Sequence, residues 1–324
     1  MSRTILLAPL LLLSYPCGFA QETTPAQPAA AAQATVSASS SKAAPMVAFT
    51  FDDLPAHGPL APGQVRWDVL RSVLATLKQE KMPPVYGFVN GFRMEEYPYQ
   101  IHLLQAWLAA GQPLGNHTYS HDELDKITVK AFDRDVAKNE PLLRKVDPNG
   151  DWHWFRFPFL EEGETNEKRD AALAALHARG YKVAEISINF QDYKWNDAFG
   201  VCAKKRDAAG LAQLHDTYLA AADTMTENAR VVSQRLYGRD IAYILLLHIG
   251  AFDARMLPEL IAQFRAKGFR LVTLEEAAAD PAYAVDAHTA IAGGATFLDM
   301  AAQAHGVSTP PDSPLMDAVD SVCK

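Results

Sequence analysis

The sequence predicts an α/β fold in which about seven parallel strands close, or nearly close, into a barrel with helices outside. Three observations lead there. From Pro45 onward, short apolar runs alternate with amphipathic helical stretches. Polar residues with chemical potential fall at the ends of several of those runs. The chain has 324 residues, more than one small core needs and compatible with a single barrel-like domain. An open doubly wound sheet is the alternative. No glycine-rich phosphate loop follows the first strand, which weakens a nucleotide-binding reading.

Taken in order, Met46–Phe51 reads as a buried strand. Val65–Lys81 follows as a helix, with Val69, Leu70, Val73, Leu74 and Leu77 on one face. Val85–Val89 is the next strand, and Ile101–Ala110 a helix stopped by Gly111. Leu114–Asn116 is short and ambiguous. Thr128 caps a helix through Val146. Trp154–Phe157 and Val183–Ile188 are strands on either side of a Glu167–Arg179 helix that ends at Gly180. An excursion, Asn196–Asp240, contains a helical stretch at Ala220–Leu236. Ala242–Leu247 is a strongly apolar strand, Met256–Ala266 a helix stopped by Gly268, and Arg270–Val272 a last strand, after which Thr273 caps a short helix. Residues 285–324 are a polar tail, Pro-rich near its end, with no function assigned.

The first residues read as an export signal spanning 1–20. Arg3 gives a positive start, Ile5–Leu13 an apolar core too short for a membrane span, and Gly18 and Ala20 a cleavage site. The preceding Ser14, Tyr15 and Pro16 are poor for lipid attachment at Cys17. Residues 21–44, rich in Ala, Gln, Ser and Thr, read as a disordered linker. No later segment could span a membrane, so a periplasmic or extracellular protein is expected. The formal net charge of -8, without a long basic run, argues against nucleic acid or an anionic membrane surface as partner. Cleavage leaves Cys202 and Cys323, which an oxidising compartment would let pair, tying the tail to a mid-chain loop; two free thiols are the alternative.

Five segments deliver polar residues near strand ends: Asp52 and Asp53, His117 and His121, Arg156, Asp192, and His248. In parallel barrels the C-terminal strand ends form one rim, where active sites sit. His117 and His121 are four apart, and on a helical turn that spacing puts both imidazoles on one face. With a carboxylate from another strand end, Asp53, they make a three-ligand site for one divalent metal ion. Zinc is the default; cobalt, nickel, iron and manganese also accept these donors. Metal-activated water still needs a base, so Asp53 is assigned to the metal and Asp52 to the base. Arg156 would pair with Asp52 and keep it ionised. Asp192 would orient His248 and raise its pKa, making it a general acid toward a departing amine or alcohol.

These segments resemble the motifs of the polysaccharide deacetylases, carbohydrate esterases that include chitin and peptidoglycan deacetylases. The resemblance runs from Met46 to Ala279 through Thr50-Phe51-Asp52-Asp53, His117-Thr118-Tyr119-Ser120-His121, Arg156-Phe157-Pro158-Phe159, Asn189-Phe190-Gln191-Asp192-Tyr193 and Leu245-Leu246-Leu247-His248. It implies a distorted (β/α) barrel over residues 45–284 and an acetylated glycan as substrate. The reaction would cleave carbon–nitrogen bonds other than peptide bonds, or esters. It carries the same roles to the residues just named, and gives the Phe159 N–H to the oxyanion. Departures are Leu54-Pro55 where the family often has Gly, on the loop that carries His57, Asn189 where Asp is usual, and Tyr193 where Trp is usual. Trp152, Trp154, Tyr193 and Trp195 are candidates for stacking on sugar rings or for buried packing. Two other readings stand beside a deacetylase: an amidohydrolase of a cyclic amide on the same scaffold, and a carbohydrate-binding pseudoenzyme. Binding alone would not need Asp52 and His248.

Overall fold

The computed structural model describes residues 44–285 and 288–324. The expected leader, 1–20, and all of the expected linker but Ala44 lie outside the described residues. Among the described residues no helix is long and apolar enough to cross a membrane.

The described strands are β1 (Met46–Leu54), β2 (Tyr86–Val89), β3 (Leu114–Asn116), β4 (Trp154–Phe155), β5 (Lys182–Val183), β6 (Ala242–His248) and β7 (Arg270–Val272). They run β5-β4-β3-β2-β1-β6, with β7 against the start of β1, and every pairing is parallel. An isolated parallel bridge from Ile188 to Leu245 joins the chain beyond β5 to β6. The row thus curls into an incomplete α/β barrel with helices around it.

Strand alternation sorts the apolar residues into two layers. Val47, Phe49 and Phe51 of β1 and Tyr243, Leu245 and Leu247 of β6 pack under the helices. Ala48, Ile244 and Leu246 join Phe88 and Trp154 in a smaller cluster that fills the barrel. The same parity sends Thr50, Asp52 and His248 inward, and Asp52 and His248 are direct partners in the β1–β6 ladder.

Two expected strands are shorter than their apolar runs. β4 stops at Phe155 because Pro158 has no N–H to give and Phe159 turns left-handed (φ 56°). Past β5, Ala184 still donates to Phe155 O at 2.8 Å and Ile188 to Ile244 O at 3.1 Å, so 184–188 stay alongside the barrel without a continuous ladder. The excursion is more helical than its periodicity implies. Tyr193–Lys205 is one helix and Ala208–Tyr237 a second of 30 residues, ended by left-handed Gly238. Much of the buried face of the longer helix is small, with Gly210, Ala221 and Ala222, so its apolar stripe is faint in sequence. The helix expected at Met256–Ala266 begins at Ala251.

The C-terminal tail is folded onto this body. Phe297–Ala304 is a helix with a capping box between Thr296 and Asp299, and it buries Phe297, Leu298, Met300, Ala301 and Ala302. Phe297 N donates to Ile186 O at 2.7 Å. Cys202 and Cys323, 121 residues apart, form a disulfide. Replacing both with serine should lower unfolding stability by about 2–5 kcal/mol, read as a shift of the urea midpoint under non-reducing conditions.

Candidate metal centre and active-site cleft

In a regular strand, successive side chains point to opposite faces. Asp52 faces the barrel, so Asp53 should face away. A left-handed backbone at Asp53 (φ 62°) and a register shift between Phe51 and Leu54 break that rule. Both carboxylates therefore reach the same cleft. Ala56 N closes the following turn on Asp53 O at 3.0 Å.

The histidine pair lies on a loop and not on the helical turn expected for it. The chain leaves β3 at Asn116 and turns left-handed at Thr118 (φ 62°) and again at His121 (φ 59°). Side chains replace helical hydrogen bonds there. Thr118 N donates to Asn116 Oδ1 (2.9 Å), His121 N to Thr118 Oγ1 (3.0 Å), and Asn90 Nδ2 to His117 O (2.6 Å). Buried Asn139 donates to both Val89 O and Asn116 Oδ1. The two imidazoles still converge, with ring centroids 4.9 Å apart.

His117 Nδ1 lies 2.8 Å from Arg156 O. A carbonyl only accepts, so Nδ1 carries the proton and Nε2 presents its lone pair. That Nε2 is 3.7 Å from Asp53 Oδ1, and His121 Nε2 is 3.4 Å from the same oxygen. These gaps exceed hydrogen-bond length. They are near the ~3.4 Å edge of a tetrahedron with metal–donor bonds of about 2.0–2.1 Å. Asp53, His117 and His121 thus fit a divalent metal by donor type and spacing. Burial, opposed only in part by Asp53, pushes the His121 pKa down to about 4, which keeps the ring in its ligand form. Burial would raise Asp53, but the surrounding His121, His57, His248 and His117 hold it well below the usual carboxylate range.

Arg156 lies under Asp52 inside the barrel, almost wholly buried. Its NH1 approaches both Asp52 oxygens at 3.2 and 3.3 Å, NH2 donates to Thr50 Oγ1 at 3.2 Å, and Nε to Ala184 O at 2.6 Å. Across β1, His248 Nδ1 meets Asp192 Oδ1 at 2.8 Å, and the His248 amide donates to Asp192 Oδ2 at 2.6 Å. Burial works against a charged ring, yet Asp192, helped by Asp53 and Asp52, pushes the His248 pKa up to about 10.

All seven residues singled out in the sequence therefore gather around one cleft. Its cavity, about 420 Å³, is lined by Asp52, Asp53, His117, His121 and His248, with Arg156 and Asp192 behind. Of the candidate stacking residues, Trp152, Trp154 and Trp195 are buried, whereas half-exposed Tyr193 lines the cleft beside His248. Exposed Phe159 packs on His121 at 4.5 Å.

Two contributors were not assigned to the site from sequence. His57 lies in the cleft, its ring 4.7 Å from that of His248. The tail supplies Gly293, Gly294, Ala295, Thr296, Asp299 and Asp312 to the wall. Gly294 presses on the Phe159 carbonyl, where an added Cβ would come within 2.1 Å. The adjacent glycines and the cysteine pairing were the signals available.

The carboxylate–imidazole cluster lies at the C-terminal strand ends, where parallel barrels place their active sites. The family model described as polysaccharide deacetylase matches residues 39–184. Over that stretch, a little under half of the chain, the sequence is similar to the polysaccharide deacetylase family. A peptidoglycan-N-acetylglucosamine deacetylase of Bacillus cereus is 26% identical over 235 residues, covering 70% of this chain and 66% of that relative, just under two thirds of its length. Among solved structures, a mutant of the Bacillus anthracis CE4 family pseudoenzyme with restored enzymatic activity aligns with TM-score 0.50 at 18% identity, over 73% of this chain and 68% of the other. The chitin deacetylase of Colletotrichum lindemuthianum aligns at 21% identity with TM-score 0.49, over 73% and 88% of the two chains.

Arg156→Met would leave the Asp52 carboxylate buried without its counter-charge. Such removals cost about 3–5 kcal/mol, so urea denaturation at neutral pH should show a loss of that size.

Proposed function

We propose that this protein is a metal-dependent hydrolase that removes acetyl groups from N- or O-acetylated carbohydrate. The observation that carries the reading is the pairing of Asp52 with His248 across β1 and β6, in the same cleft as Asp53 and its two imidazoles. A base and an acid flanking a metal position are the groups acyl hydrolysis needs.

Asp53, His117 and His121 hold the ion, zinc being the default for this donor set. When bound, a divalent cation supplies a Lewis acid that acidifies water and polarises the acyl oxygen. Asp52 takes the proton of the attacking water. Arg156 fixes the orientation of Asp52 through two contacts from one nitrogen. His248 gives its Nε2 proton to the departing amine or alcohol, while Asp192 on Nδ1 fixes the ring and stabilises its charged form. The Phe159 N–H, held on a left-handed turn, is the oxyanion donor. Half-exposed Tyr193 offers an aromatic face to a sugar ring. An export leader at 1–20 is consistent with an envelope or extracellular glycan as substrate.

Acetate release from acetylated chitooligosaccharides, peptidoglycan and acetyl-xylan, with and without added metal, tests the reading. Asp52→Asn should cut kcat by about 10²–10⁴ while metal content stays at the wild-type level; unchanged activity would refute the base. His117→Ala should lower bound metal measured by elemental analysis, and undiminished metal would count against the ligand set. Asp192→Asn removes the largest upward pull on His248. Its acid form would then persist to a lower pH, and the alkaline limb of the kcat/KM profile should move down by about 1–3 pH units.

A further inference from the structure

We propose that Asp53, His57 and His248 form a second divalent-cation site, sharing Asp53 with the first, and that an ion there takes His248 out of proton transfer. The inference rests on the metal-dependent reading above for its first ion and for the role of His248.

The two oxygens of Asp53 face different partners. Oδ1 meets His121 and His117, at 3.4 and 3.7 Å. Oδ2 meets His57 Nε2 at 3.6 Å. One donor atom from each of Asp53, His57 and His248 lies within 4.8 Å of the others, the same bound that the first trio satisfies. The 3.6 Å gap is again too long for a hydrogen bond and close to a coordination edge of ~3.4 Å. A carboxylate that offers one oxygen to each side is suited to bridging two cations.

The two imidazoles are held for such a role. His248 gives Nδ1 to Asp192, which leaves Nε2 for an ion in the carboxylate–histidine–metal pattern. His57 has a buried Nδ1 with no hydrogen-bond partner among the described residues. Its backbone, by contrast, is tied down. His57 N donates to Ile249 O at 3.3 Å, and Arg66 clamps His57 O and Gly58 O at 2.8 and 2.6 Å. The loop therefore fixes the ring over His248, with centroids 4.7 Å apart.

Two imidazoles and a carboxylate suit zinc, nickel, cobalt or copper and not calcium or magnesium. Two cations sharing one carboxylate repel each other, so the second binds more weakly, by about tenfold or more. An ion on His248 Nε2 occupies the lone pair that would hold the proton for the leaving group. Excess metal should therefore inhibit.

The test titrates the metal-stripped chain with zinc and counts bound ions by equilibrium dialysis and elemental analysis, with acetate release from a chitooligosaccharide followed in parallel. Expected are two equivalents of unequal affinity, activity that peaks near the first and falls with the second, and one equivalent in His57→Ala. His57→Gln, closer in volume, repeats the test should the alanine variant fold poorly. One equivalent in the wild type at excess zinc overturns the proposal, as does a second equivalent that survives both His57 variants. If that single ion is lost in His117→Ala, the metal-dependent reading stands and the second site alone falls. Absence of any bound ion in the wild type overturns both.

Discussion

The site depends on a backbone constraint at one residue. Asp52 and Asp53 are consecutive, and an extended strand would send one into the barrel and the other under the helices. The left-handed turn at Asp53 brings both to one side. Such a conformation costs an L-residue about 1–2 kcal/mol, less for aspartate than for most. The same device recurs around the cleft at Thr118, His121, Phe159 and Gln191. Non-glycine residues in this region concentrate where a fold holds functional groups against local preference. The surrounding order keeps them there: Asn116, Asn139 and Asn90 brace the histidine loop, and the tail presses on Phe159.

Charge is arranged with equal economy. Within one cleft, a buried guanidinium backs one carboxylate and a buried carboxylate backs one imidazole. The first arrangement orients a carboxylate, and the second favours the protonated form of an imidazole. Between them, Asp53 is ringed by imidazoles of which His121 and His57 are kept neutral by burial, both pushed down to about 4. A neutral nitrogen beside an ionised oxygen is the state a metal takes up without first displacing protons.

Much of this was legible in the chain itself. Alternating strand and helix patterns gave a parallel barrel, and the five polar segments at or near strand ends gave the residues that meet in the cleft. The reason is physical: strand ends and parity are local properties, and a parallel barrel turns them into a common rim. The helical placement of His117 and His121 failed because spacing of four is shared by a helix and by a loop braced through Asn116 and Thr118. His57 and the tail were not assigned to the site because their places depend on long-range contacts, with Ile249 in one case and Phe159 and Ile186 in the other. The helix Ala208–Tyr237 was under-read because alanine and glycine on a buried face leave little hydrophobic contrast.

The last of the motifs by position, ending at His248, is followed by more than a closing strand. Gly294 and Asp312 belong to the cleft wall, and the Cys202–Cys323 disulfide staples that segment to the body. A late premature stop, or an expression boundary drawn after residue 284, would keep every motif and every ligand yet remove a side of the cavity. A frameshift between residues 293 and 312 is thus a lesion of the cleft, although it lies beyond every motif.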